Sequence, residues 1–226
     1  MRINKYLALK KISTRRGADE LIKEKKVFIN GKLALLGSKV KETDIVEIRG
    51  VKNKECVYFA YNKPTGIETS SPRKELFPLG RLDKASYGLI ILTNDGRITD
   101  QLLNPKYFHE KEYVVKTSNK LRSNFKQKME KGVDIEGYVT KKCKVSIIND
   151  FTFKITLCEG KKHQIRRMCS ALFQEVADLK RERIMNIKLG NLKEGALREI
   201  KGEEKSAFLD QVLGSAIVSN THHHTS

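Results

Sequence analysis

"GRLDKASYGLIILTNDG", residues 80–96, places one acid, Asp83, just behind an arginine and ahead of an apolar run, Leu89-Ile90-Ile91-Leu92. The run is rich in strand-forming residues and stops at Asn94-Asp95-Gly96, which could close a hairpin. Ile98, Gln101 and Leu102 follow at helical spacing, however, so the turn leads from strand to helix, with Asn94 or Asp95 near the cap. Working outward, "VYFAY" lies upstream, and "EYVVK" and "VSII" lie downstream. "FTFKITL" alternates, setting Phe151, Phe153, Ile155 and Leu157 on one face. Strand-like and helix-like segments thus interleave from about residue 56, and an α+β domain on a largely antiparallel sheet is expected there.

The chain of 226 residues carries a formal charge of +18, spread along its length, with a pI near 9.7. A polyanionic partner follows, nucleic acid first and an acidic membrane surface second. No apolar stretch approaches the roughly 18 residues that span a bilayer, and the N-terminus lacks a signal peptide's apolar block. A soluble, cytoplasmic protein is expected. Cys56, Cys143, Cys158 and Cys169 are far apart and form no CxxC pair, so reduced thiols are expected, with neither a zinc site nor a disulfide framework. His222, His223 and His224 read as readily as a tag remnant as a metal site, and the tail 215–226, expected to be disordered, is set aside from function.

Residues 1–48 read as a small ααβ unit. Ile3, Tyr6, Leu7 and Lys10 have helical spacing; after Ser13 as N-cap, Ala18, Leu21 and Ile22 continue the pattern in a second helix. "VFINGKLAL" gives two short strands around Asn30-Gly31, the dipeptide suited to a tight hairpin turn, and "DIVEI" supplies another strand. Lys5, Arg15, Arg16, Lys23, Lys25, Lys26 and Lys32 line this unit. Arg15 and Arg16 fall in a first helical turn, where the macrodipole disfavours cations unless an anion is bound, so a phosphate-gripping face is favoured over a merely solvated one. "RGVKNKE", 49–55, reads as a linker, and a second domain is expected over 56–214.

A second charged cluster opens "EGKKHQIRRMCSALF", 159–173. Ile165, Met168, Cys169, Leu172 and Phe173 form an apolar stripe at helical spacing. Lys161, Lys162, His163, Arg166 and Arg167 crowd the start of that helix, a conflict with the macrodipole that an RNA phosphate or a protein carboxylate would relieve. Asp83 is one candidate carboxylate. His163 has no evident catalytic partner in the sequence and is read as structural or RNA-facing. Phosphate loops, GxGxxG, GxSxG and HExxH are all absent, and the paired Glu203 and Glu204 read as solvent-facing. Any chemistry must use a single carboxylate without an evident metal or nucleotide.

The first unit resembles the small RNA-binding domain first named in a small-subunit ribosomal protein, which grips structured RNA by shape and backbone. "GRLDKASYGLIILTNDG", "HEKEYVV" and "EGKKHQIRRM", in that order, resemble the motif set of the RsuA-type pseudouridine synthases, and "TKKCKV" with "RERIMNIKLG" narrows the likeness to the RluF branch. The resemblance spans residue 2 to about 213 and implies isomerisation of a specific uridine in large-subunit (23S) ribosomal RNA, without metal or cofactor. Small-subunit RNA or tRNA as substrate, or a non-enzymatic RNA-binding assembly factor, are the alternatives. The resemblance makes Asp83 the catalytic aspartate, as nucleophile or in elimination; Arg166 its ion-pair partner; Tyr113 the ring stacked on the flipped uracil, with Ile165 as the opposite wall. Arg81 would fill the space the base leaves, while Lys162 and Arg167 would meet RNA. No membrane or protein partner is implied, and a monomer is expected. The segment between "KPTG", 63–66, and "FPLGRLD" is shorter than the family's usual spacing, and Ala85 and Tyr87 replace acidic or polar residues.

Overall fold

The computed structural model describes residues 1–10, 12–50 and 55–214. The tail at 215–226 and most of the expected linker lie outside the described residues. The chain divides into two compact units, residues 1–56 with 95–99, and 57–94 with 100 onward.

The small unit pairs α1 (Ile3–Leu9) with α2 (Arg15–Lys23), followed by β1 (Val27–Ile29), β2 (Lys32–Leu33) and β3 (Val46–Ile48). Its sheet is antiparallel in the order β2-β1-β3. Asn30 and Gly31 both take positive φ, as the two-residue hairpin requires. Thr14, one residue after the expected Ser13, caps α2 by accepting from the Gly17 amide at 3.0 Å. Ile3, Leu7, Ala18, Ile22, Val27, Ala34 and Val40 close the core. Both amphipathic helices bury their apolar stripe and leave their cations outside.

The large unit is α+β. Its strands are β4 (Tyr58–Lys63), β5 (Phe77–Leu79), β6 (Tyr87–Thr93), β7 (Lys111–Thr117), β8 (Lys144–Asn149), β9 (Thr152–Leu157), β10 (Val176–Ile184), β11 (Ile187–Lys188) and β12 (Leu197–Glu199). The helices are α3 (Thr99–Leu103), which begins in the segment assigned to the small unit, then α4 (Phe125–Lys131), α5 (Gln164–Ala171) and α6 (Gly202–Leu213). One mixed sheet runs β12-β4-β6-β10-β7-β9-β8, with β5 on β6 and β11 on β10. Every pairing is antiparallel except β6 with β10.

Leu89, Ile90, Ile91 and Leu92 are all fully buried, so β6 is covered on both faces and shows no alternation. Where β6 meets β10, Gly88 has φ +105°, and a Cβ there would stand 2.4 Å from the Arg181 carbonyl oxygen. Glycine is therefore required at the point where the Asp83 loop enters the sheet. Asp95 caps the following 3-10 turn through the Arg97 amide, confirming the strand-to-helix reading.

Two apolar clusters flank the sheet's centre. One gathers Phe125, Met129, Phe153, Ile155, Ile165, Met168 and Leu179; the other gathers Tyr61, Leu76, Leu82, Ile90 and Leu92; Tyr113 packs against both. Each large apolar side chain so buried contributes about 1.5–3 kcal/mol. Two apolar expectations fail at segment ends. Phe151 lies in the turn before β9, and Phe173 lies past the end of α5 in a left-handed conformation, and both are exposed. The periodicity of each stripe outruns the element that carries it. Among the described residues no helix is long and apolar enough to cross a membrane.

Candidate active site

Leu82, buried in the second cluster, anchors the segment before β6, and Asp83 follows it. Residues 83–86 form a tight turn closed by the Ser86 amide on the Asp83 carbonyl at 2.9 Å. The Thr69 hydroxyl donates to the Leu82 carbonyl at 2.8 Å and accepts from the Leu82 amide at 3.0 Å. The Gly66 amide donates to the Lys84 carbonyl at 2.8 Å. Lys63, fully buried, donates through Nζ to the carbonyls of Ser86 at 2.7 Å and Pro64 at 2.8 Å. Burial pushes the Lys63 pKa down, and the nearby Asp83 charge opposes that shift. The loop is thereby fixed by bonds to its backbone, and the Asp83 side chain faces a cavity.

Arg166 joins this clamp, and here the geometry corrects the expected pairing. Its guanidinium donates to the Val176 and Ala85 carbonyls, both at 3.1 Å, and to the Ser86 hydroxyl at 3.4 Å; it makes no ion pair with Asp83. The turn at 83–86 presents the Ala85 carbonyl to Arg166, while the Asp83 side chain points elsewhere. His163 lies there instead, with Nε2 at 3.2 Å from Asp83 Oδ1. His163 sits at the N-cap of α5 with φ +52°, and its side chain caps nothing, so the ring can reach across. A left-handed backbone one residue before the helix is a tertiary feature that sequence spacing does not announce.

A second buried acid shapes this turn. Glu159, 2% exposed, accepts from the Tyr138 hydroxyl at 2.6 Å, the Lys141 amide at 2.9 Å and Gln164 Nε2 at 2.7 Å, while Gln164 Oε1 accepts from the Lys161 amide at 2.8 Å. That bond to Glu159 raises the Tyr138 pKa. With its lone pairs satisfied, Glu159 holds the turn that presents Lys161, Lys162 and His163.

These segments surround a cavity of about 580 Å³ lined by Asp83, Arg81, Tyr113, Lys162, His163 and Ile165, within the usual size of small-molecule sites. Tyr113 comes from β7 and Ile165 from the first turn of α5; Arg81 and Lys162 are exposed at the rim. Arg167 does not join them. It donates to the Ile135 carbonyl at 2.7 Å and pairs with Glu136 at 2.6 Å. Tyr87 donates to Asp178 at 2.8 Å, and burial with that bond pushes its pKa up to about 12, a structural role in the strand. Glu204 pairs with Arg198 and is not simply solvent-facing.

The four cysteines are free thiols. In the small unit, Lys5, Arg15, Arg16 and Lys23 are exposed and pair with no carboxylate among the described residues; Lys26 is half-buried and pairs with Glu24 at 2.7 Å.

The α+β large unit thus carries an aspartate, an aromatic ring and basic side chains around one cleft, and the small unit carries exposed cations. The sequence matches the RNA pseudouridylate synthase family over residues 57–171 and the S4 domain over residues 1–46. The chain belongs to the RNA pseudouridylate synthase family and is an RNA pseudouridine synthase, an isomerase. It is 40% identical over 222 residues to the dual-specificity RNA pseudouridine synthase RluF of Escherichia coli K12, covering 90% of this chain and 77% of that protein. Identity to the ribosomal large subunit pseudouridine synthase B of Bacillus subtilis 168 is 35% over 227 residues, covering 90% and 93%. A crystal structure of a pseudouridylate synthase matches with TM-score 0.69 and 28% identity over 94% of this chain and all of that one.

Proposed function

We propose that this synthase isomerises a uridine of large-subunit ribosomal RNA in the cytoplasm, with Asp83 as its catalytic aspartate. The observation that carries the reading is the clamped loop: four residues outside it, Lys63, Gly66, Thr69 and Arg166, hold the backbone of residues 82–86, and the Asp83 carboxylate lines the cavity. Such fixation serves a reaction that needs a carboxylate at a set position, since misplacement by about 1 Å can cost about a hundredfold in rate.

The uridine enters flipped out of its helix, because a stacked base cannot reach a carboxylate inside a cleft. Tyr113 stacks on the uracil, Ile165 walls the other side, and Arg81 fills the vacated space. Asp83 acts at the sugar, as nucleophile on its anomeric carbon or in elimination; the uracil detaches, turns and rejoins through carbon 5. His163 orients the Asp83 carboxylate, and Arg166 positions the loop through Ala85 and Ser86. Lys162 meets the RNA backbone. Residues 1–48 form the RNA-gripping domain, with Lys5, Arg15, Arg16, Lys23 and Lys26 toward phosphates, joined at 49–55 to a catalytic domain over 56–214. The name of the Bacillus subtilis relative supports the large subunit as source of the substrate; "dual-specificity" in the name of the Escherichia coli relative supports testing tRNA beside it.

Tritium release from RNA labelled at carbon 5 of uridine tests this directly. Large-subunit RNA is expected to release tritium with the intact protein. Asp83→Asn is expected to lower release by about four orders of magnitude or more while binding the same RNA equally well. Release from small-subunit RNA alone would reject the substrate, and an active Asp83→Asn would reject the catalytic role.

A further inference from the structure

Behind the active site, on the other side of Arg166, lies a second cavity of about 800 Å³, lined by Ser118, Asn119, Arg166, Ser170, Phe173 and Gln174. Phe173 stands in it 71% exposed, in a left-handed backbone conformation with φ +60° that is unusual for a bulky residue. The conformation is fixed from both sides. The Phe173 amide donates to the Ser170 carbonyl at 2.9 Å, Asn119 Nδ2 donates to the Phe173 carbonyl at 3.1 Å, and Asn119 Oδ1 accepts from the Glu175 amide at 3.1 Å. The Arg122 guanidinium lies 4.7 Å from the ring centroid. Gln174, 2% exposed, contributes an Oε1 with no hydrogen-bond partner, and its Nε2 makes only a long bond, 3.4 Å, to the Lys120 carbonyl.

The left-handed turn is the ordinary end of α5, with the Gln174 amide on the Cys169 carbonyl at 2.8 Å, but that end suits glycine and does not call for an exposed aromatic ring. A ring already flanked by a guanidinium is a platform for a flat, electron-rich partner. Glu175 also lines the cavity, and its carboxylate suits the N–H edge of a base. Arg166 lines this cavity and also holds the Ala85 carbonyl, two residues beyond Asp83, so an occupant here adjoins the catalytic loop.

We propose that Phe173 and Arg122, with Glu175 and on a turn held by Asn119, form a second nucleobase site that stacks an unpaired nucleotide of the RNA next to the target uridine. The proposal rests on the reading of RNA as the substrate at Asp83 and deepens it: the enzyme would select a target whose neighbour is also unstacked. Stacking supplies the contact, and the Glu175 carboxylate in the cavity lining accepts from the base edge.

The test separates this site from the first by using a probe with no uridine, a short oligoadenylate RNA carrying one 2-aminopurine, whose fluorescence is quenched on stacking. The intact protein and Asp83→Asn are both expected to quench it equally. Phe173→Ala is expected to abolish the quenching and weaken binding roughly tenfold, and Phe173→Trp to restore both. In tritium release from large-subunit RNA, Phe173→Ala is expected to raise KM roughly tenfold with kcat at saturating RNA kept. Quenching and affinity unchanged in Phe173→Ala, with tritium release intact, would overturn the platform while leaving the synthase reading standing. Quenching that depends on Phe173, with no tritium release from any RNA, would keep the platform and reject the reading of the first cavity.

Discussion

The two units of this chain use positive charge in opposite ways. In the small unit Lys5, Arg15, Arg16 and Lys23 project from helices without a carboxylate partner, at the surface and in the first turn of α2. In the large unit the cations of greatest consequence turn inward. Lys63 and Arg166 bond backbone carbonyls of the Asp83 loop, and Arg181, 2% exposed, donates to the Leu89 carbonyl at 2.6 Å. The same kinds of side chain stand exposed in one place and fix backbone geometry in the other. Net charge therefore measures affinity for RNA poorly: part of the excess is spent inside the protein, where salt does not screen it.

That contrast can be broken most directly at Arg166. Arg166→Lys keeps the charge, but a lysine lacks the planar fork that serves the Ala85 and Val176 carbonyls together. If the residue positions the loop, kcat for tritium release falls by about a hundredfold with KM nearly unchanged, and thermal unfolding shows a loss of about 1–2 kcal/mol. A rise in KM alone would place Arg166 among the RNA-gripping cations and dissolve the distinction.

Lys111 offers the next test, on stability. Burial, then the neighbouring Arg181 guanidinium, push its pKa from 10.5 down to about 8. The folded protein holds this proton less firmly than the unfolded chain, so between about pH 8 and pH 10.5 the unfolded state binds more protons and stability rises with pH. Below pH 8 the cost of the buried charge is fully present. Lys111→Met is expected to gain about 2–3 kcal/mol at pH 7 in urea unfolding, with the advantage over the native chain shrinking toward pH 10. An advantage that does not vary with pH would show that packing and not charge is responsible.

The smallest effect belongs to the small unit. Arg15→Ala with Arg16→Ala is expected to lower the slope of log affinity against log salt by about 1–2 and to leave kcat at saturating RNA unchanged. An unchanged slope would mean that this face is solvated and grips nothing.

Legibility from sequence followed the range of the interaction. The hairpin at Asn30-Gly31, the cap at Asp95 and the buried run of β6 are local, and each was readable from a few adjacent residues. The ordered motifs around Asp83, Tyr113 and Ile165 predicted residues that do line one cavity, although they are far apart in the chain. Partners were less legible. Arg166 was expected on Asp83 and bonds Ala85, Ser86 and Val176 instead; His163, without an evident partner in sequence, is the residue at Asp83. Lys63, Thr69 and Glu159 were not singled out, because a residue that clamps a distant backbone carbonyl or amide leaves no spacing or periodicity behind.

By itself the sequence determined the helices and hairpin of the small unit, the strands β4, β6, β7, β8 and β9, the helix α5, and which carboxylate stands before β6, since propensity, turn chemistry and apolar patterning act over a few residues at a time. Tertiary structure alone decided which cation meets which oxygen. A guanidinium or imidazole reaches several angstroms and chooses among whatever acceptors the packed sheet brings within range, and that choice is made only when β6, β10 and α5 come together.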